Sequence, residues 1–141
     1  MIIDTHAHLD HLEDIDGALQ RAACNDVEAI IAVSEDLDAS RKNLEISRKF
    51  SVPRIYVAMG IHPSDARLDE LDETIKYIQE NVGDIVAIGE IGLDYWYRWV
   101  KKSEDKKEEQ KKVFRAMLEL AKDNDLPAVI HSRGAWKYCL E

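Results

Sequence analysis

The sequence predicts an α/β fold built on a parallel sheet, and three observations predict it. Short β-branched runs alternate with longer stretches whose apolar residues recur at helical spacing, which is the pattern of repeated βα units. The strand candidates lack strict polar alternation, as strands covered on both faces do. A chain of 141 residues that is 45% hydrophobic and 33% charged also has the size and composition of one packed domain.

The elements follow in order. Ile2 to His6 is the first strand. A helix comes next, with Ile15, Ala18, Leu19, Ala22 and Ala23 on one stripe. Ala29 to Val33 and Ile55 to Met59 are the second and third strands, separated by a second helix. Leu71, Ile75, Ile78 and Val82, three and four apart, form the buried stripe of a third helix, and Ile85 to Glu90 is the fourth strand. The fourth helix has a solvated entry from Lys101 to Lys112, where Glu104, Asp105, Glu108 and Glu109 interrupt the lysines. Val113, Phe114, Met117, Leu118 and Ala121 then supply its packed face. Pro127 bars further helix before the last strand, Ala128 to His131, and another helix begins near Ala135. No internal repeat and no low-complexity linker divides the chain, so residues 1–141 read as a single domain.

Composition excludes several classes. The longest apolar runs, such as Ala29 to Val33, fall far short of the ~20 residues that cross a bilayer. Met1 leads into Ile2, Ile3 and Asp4 without the basic and apolar regions of a signal peptide, so a cytoplasmic location and no membrane partner are expected. Cys24 and Cys139 are far apart and in no CxxC arrangement, which gives neither a disulfide framework nor a zinc ribbon. A formal charge of −9 argues against a broad basic face for nucleic acid, but not against a local phosphate site built around metal ions.

The strongest chemical signal is His6-Ala7-His8, preceded by Asp4 and followed by Asp10 and His11. Residues i and i+2 of an extended segment point to one side, so both imidazoles can approach one cation at ~2.0–2.1 Å. A pair of capping or surface histidines is the alternative. Position favours the metal, because His62, Glu90 and His131 recur at the carboxyl ends of other strands. In parallel α/β architectures those ends share the face where reacting groups collect. Glu90 has two oxygens with which to bridge two divalent ions, and His131 offers a nitrogen from the opposite side.

Met1-Ile2-Ile3-Asp4-Thr5-His6-Ala7-His8-Leu9-Asp10, Gly60-Ile61-His62-Pro63, Gly89-Glu90-Ile91-Gly92-Leu93-Asp94-Tyr95 and Ile130-His131-Ser132-Arg133 together resemble the successive signatures of the TatD-related metal-dependent deoxyribonucleases. The resemblance covers nearly the whole chain. It implies an amidohydrolase-like (β/α)₈ barrel of the TIM type with two divalent metals that hydrolyses phosphodiester bonds of DNA. By that carry-over His6 and His8 bind the first metal, Glu90 bridges both, and His131 binds the second. His62 and Asp94 would stand near the substrate phosphate or the attacking water, with Tyr95, Ser132 and Arg133 lining the site. A turn carboxylate, a packed aromatic and a surface cation are the ordinary alternatives for Asp94, Tyr95 and Arg133. Mixed imidazole and carboxylate ligands accept Zn²⁺, Mn²⁺, Fe²⁺ or, less well, Mg²⁺.

The sequence breaks off at Glu141, after the fifth strand, whereas a complete barrel needs ~250 residues. A further histidine and an aspartate of the family, on the sixth and eighth strands, have no counterpart here. An incomplete barrel, part of a longer protein, is therefore expected, with weak turnover and binding of one divalent ion. Its open sheet edges favour self-association or pairing with a complementing C-terminal half. Rival functions are hydrolysis of an ester or amide, such as aminoacyl-tRNA deacylation, and a non-catalytic metal-binding assembly module.

Overall fold

The computed structural model describes residues 1–140, and Glu141 lies outside the described residues. Five strands, β1 (Ile2–Ala7), β2 (Val27–Val33), β3 (Arg54–Met59), β4 (Ala87–Gly92) and β5 (Ala128–His131), pair in parallel and in sequential order. Helices α1 (Ile15–Cys24), α2 (Leu37–Lys49) and α3 (Leu71–Glu80) fill the first three crossovers. The short α4 (Arg98–Lys101) and the long α5 (Glu104–Asp123) fill the fourth, and α6 (Trp136–Cys139) follows β5. Because each crossover steps the same way and such crossovers are right-handed, the helices collect on one face of the sheet. That is the winding of a (β/α) barrel, carried here through five strands, and not of a doubly wound sheet.

Local chemistry sets the helix starts. The Asp14 carboxylate accepts the Gly17 N–H at 2.9 Å, the Asp36 carboxylate accepts the Ala39 N–H at 2.7 Å, and the Ser103 hydroxyl accepts the Lys106 N–H at 3.3 Å. The main core lies between sheet and helices, where Val57, Met59, Ile88 and Ile91 meet Leu44, Ile78, Val113 and Met117. A second cluster joins Leu9, Leu19, Ile30, Ala32, Ile46 and Ile55 beneath α1 and α2. Val33, Ala58 and Ala87 alternate with these positions and form a smaller cluster on the opposite face, the face that carries the polar groups at its rim.

β1 ends one residue later than the sequence reading, at Ala7, while β2 begins two residues earlier, at Val27, and β3 one earlier, at Arg54; three other boundaries differ with more consequence. β4 runs from Ala87 to Gly92 instead of Ile85 to Glu90, since Ile91 and Gly92 continue its pairing with Ile130 and His131. α3 ends at Glu80, which leaves Val82 in a separate helical turn, Val82–Asp84. α5 begins only after Ser103, so Lys101 belongs to α4. Lys106, Lys107 and Lys111 do lie on a solvated face, paired with Glu109, Glu104 and Glu108. Cys24 and Cys139 are free thiols.

Candidate metal centre

Each strand brings its polar group to the same end of the sheet. Extended backbone through Ala7 turns the His6 and His8 rings to one side, and the Asp4 carboxylate accepts the His6 N–H at 3.0 Å. His6 Nε2 stands 3.1 Å and His8 Nε2 3.6 Å from the same oxygen, Oε2 of Glu90. The other oxygen, Oε1, lies 2.9 Å from His131 Nδ1, and that nitrogen is 3.1 Å from His62 Nε2. Glu90 is 7% exposed, and its direction follows from an irregularity in the sheet. The β4–β5 register slips between Ile88 and Ile91, both of which point into the helical core, and the residue gained there turns Glu90 to the opposite face.

The donor set suits divalent cations. Atoms held at ~2.1 Å by one ion stand about 3–3.4 Å apart, which is close to the spacing of the imidazole nitrogens around Glu90. Hydrogen bonding gives an independent argument. His62 Nδ1 accepts the Ser64 N–H at 3.1 Å, which places the His62 proton on Nε2, facing His131 Nδ1. His131 Nε2 donates to Asp94 at 2.9 Å. Its Nδ1 thus lies between Glu90 Oε1 and the His62 ring, a position filled by a ring proton when His131 is charged and open to a cation when it is neutral. Glu90 with His6 and His8 is one group fit for an ion; Glu90 with His62 and His131 is another.

Asp94, with no exposure, orients the second group. Its Oδ2 accepts from His131 Nε2 and, at 2.7 Å, from Arg133 Nε, while Oδ1 accepts the Trp96 N–H at 2.9 Å. Burial alone would raise the Glu90 and Asp94 carboxyls, but the His131 hydrogen bonds, with the neighbouring cationic groups, hold both below the ordinary carboxylate range. The Glu90 hydrogen bond raises His131. Burial, then the charge of His131, lowers His62 to about 4 and leaves it neutral near pH 7.

Not every residue singled out in the sequence reaches this group. Tyr95 follows the inward-pointing Asp94 on extended backbone and so turns the other way, against Tyr138 at 5.3 Å and beneath the Lys107 ammonium on α5. Ser132 offers its carbonyl to the Ala135 N–H, and its hydroxyl bonds none of the cluster among the described residues. His11 pairs with Glu35 at 3.0 Å, to one side of Glu90.

Two contributors escaped the sequence reading. Glu35 sits two residues beyond β2, and its carbonyl accepts the His62 N–H at 2.7 Å. Its place at a strand end was a usable signal. Gln110, 2% exposed, accepts the Asp94 N–H at 3.0 Å and donates to the Pro63 carbonyl at 2.9 Å, so it clamps the loops bearing Asp94 and His62 together. A glutamine three and seven residues before Val113 and Met117, on the apolar stripe of α5, marked it. Gln110→Leu keeps the volume but orphans two buried backbone groups, and the expected loss is about 2 kcal/mol in chemical denaturation.

Comparisons with known proteins bear on the family and the fold. The model of the family described as TatD related DNase matches residues 3–141. The uncharacterized metal-dependent hydrolase YabD of Bacillus subtilis is 39% identical over 140 residues, which cover 96% of this chain and 52% of that protein. Human deoxyribonuclease TATDN3 is 33% identical over 145 residues, covering 95% and 53%. The crystal structure of YjjV, a TatD homologue from Escherichia coli, matches with a TM-score of 0.84 at 29% identity, over 98% of this chain and 53% of that one. The chain spans about half the length of these relatives. Since the family match runs from residue 3 past the last strand and takes in the carboxylate and all four imidazoles gathered around it, the chain belongs to the TatD-related DNase family.

Proposed function

We propose that this chain carries most of the centre of a divalent-metal-dependent hydrolase that cuts phosphodiester bonds in DNA. The observation that supports it best is the division of one carboxylate between two sets of imidazoles, with Glu90 Oε2 toward His6 and His8 and Oε1 toward His131. His6, His8 and Glu90 would hold one ion, and Glu90 and His131 would begin the site of a second, which needs a further ligand, so one saturable ion is expected of this chain. Bound there, the ions would supply Lewis acidity to water and to the phosphoryl oxygens. His62 offers its Nε2 proton to a phosphoryl oxygen or water at the same point. Asp94 fixes the His131 tautomer, and Arg133, held by Asp94, adds a cation beside the phosphate. Tyr95 and Ser132 would support this lining from behind.

The experiment is a calorimetric titration with Mn²⁺ or Zn²⁺, followed by single-turnover cleavage of short 3′-ended DNA against ester and amide substrates. One saturable ion and slow cleavage of DNA, stopped by chelator, are expected. Absence of saturable heat would overturn the metal centre, and preference for an aminoacyl ester or an amide would overturn the phosphodiester.

Partners and location are read in the same way. Ile2, Ile3 and Ile130 on the outer strands are 52%, 52% and 47% exposed, a surface that a complementing C-terminal half or a second copy would cover. Two free thiols suit the reducing cytoplasm, and no described helix is long and apolar enough to cross a membrane.

A further inference from the structure

We propose that the segment from Asp94 to Lys102 is a ledge for unpaired nucleotides, on which the bases of single-stranded nucleic acid stack against Trp96 and Trp99 while its phosphates meet Arg98, Lys101 and Lys102. The proposal deepens the phosphodiester reading above and rests on it.

The rings are large and open. Trp96 is 66% and Trp99 59% exposed, beside a centre whose carboxylates are almost fully covered. Trp99 lines a cleft of about 240 Å³ together with Pro63, Ser64, Arg67, Lys106 and Gln110. The cleft therefore lies between the His62 loop and the start of α5, on the same end of the sheet as Glu90.

The ledge is tied to the metal groups by direct contacts. Asp94 Oδ1 accepts the N–H groups of Trp96 and Tyr97, at 2.9 and 3.4 Å. Arg133, bonded to the same carboxylate, places its guanidinium 4.6 Å from the centre of the Tyr97 ring, and Tyr97 stacks on Trp99 at 4.3 Å with 20° between planes. Gly134, at φ +68°, brings the loop after β5 against the Trp96 backbone from the other side. These contacts tie the rings to Asp94 and Arg133, and through Asp94 to His131.

Charge identifies the occupant. Residues 98–107 carry five cations against two acids, in a chain of net charge −9. Arg98, Lys101 and Lys102 enter no ion pair among the described residues, and the Lys101 ammonium lies 5.8 Å from the centre of the Trp96 ring. Cations interleaved with exposed rings suit a polyanion that also presents flat faces, and a base offers its face only when it is unpaired. An acidic peptide would use the cations and leave the tryptophans idle.

Fluorescence anisotropy of labelled hexathymidylate, measured in chelator so that nothing is cut, tests this. Saturable binding is expected, and an abasic hexamer with the same phosphates should bind about ten-fold more weakly or worse. Trp96→Ala and Trp99→Ala should each weaken hexathymidylate by about 5-fold or more, and Lys101→Gln should reduce the salt slope by about one. Equal binding of the abasic strand, unchanged affinity in folded tryptophan variants, or no binding of hexathymidylate would each overturn the ledge. Hexathymidylate that binds in this way but is not cut when metal is added would instead strike the phosphodiester reading.

Discussion

Glu90→Gln is expected to abolish saturable divalent binding and, with it, metal-dependent cleavage, while the protein stays folded. The substitution preserves shape but removes the charge that both imidazole groups share. An amide has one oxygen and one NH₂, so in either orientation one group faces a donor where it needs an acceptor. Loss of an outer-shell partner at a metal site typically costs 10–100-fold in affinity, and loss of the shared ligand should exceed about 100-fold. Calorimetry with Mn²⁺ or Zn²⁺ reads the affinity, and circular dichroism checks the fold. If the Glu90→Gln protein binds the ion as tightly as the parent, Glu90 has no place in the centre.

What was legible in the sequence had a short-range cause. The i, i+2 geometry of His6 and His8 depends only on extended backbone, and the strand-end positions of His62 and His131 follow from βα alternation. Glu90 is a harder case. Regular alternation from Ile88 would put it on the same face as that residue, in the helical core, and only the slip against β5 turns it toward His6. The three-residue spacing of Ile88 and Ile91, both in the core, is the trace of that slip. Tyr95 shows how little adjacency in a motif says about direction, since its ring packs against Tyr138 and not toward the Glu90 cluster. Its place beside Asp94 in the motif suggests a shared site, whereas neighbours on extended backbone face opposite ways. Gln110 was hidden because its partners, Asp94 and Pro63, are brought to it only by the tertiary fold.

Gly92→Ala is the substitution with the largest expected effect on stability. Gly92 has φ +148°, which L residues rarely adopt, and pairs with His131 across β4 and β5. A Cβ there would collide with the His131 carbonyl oxygen and lie 2.9 Å from its carbon. These are backbone atoms, so no rotamer change relieves the overlap. The same oxygen accepts the Leu93 N–H at 3.1 Å, and pushing it away also weakens that bond. An unfavourable backbone conformation costs about 1–3 kcal/mol and forced overpacking about 1–3 kcal/mol, so a loss of about 4 kcal/mol is expected in chemical denaturation. Gly83→Ala is the control, because nothing lies within 4 Å of a Cβ there, and its change should stay within about 0.5 kcal/mol. Where Gly92→Ala still folds, the displaced His131 should separate from Glu90 and weaken the metal affinity as well. A Gly92→Ala protein as stable as the Gly83→Ala control would mean that β4 and β5 do not approach as closely as this pairing requires.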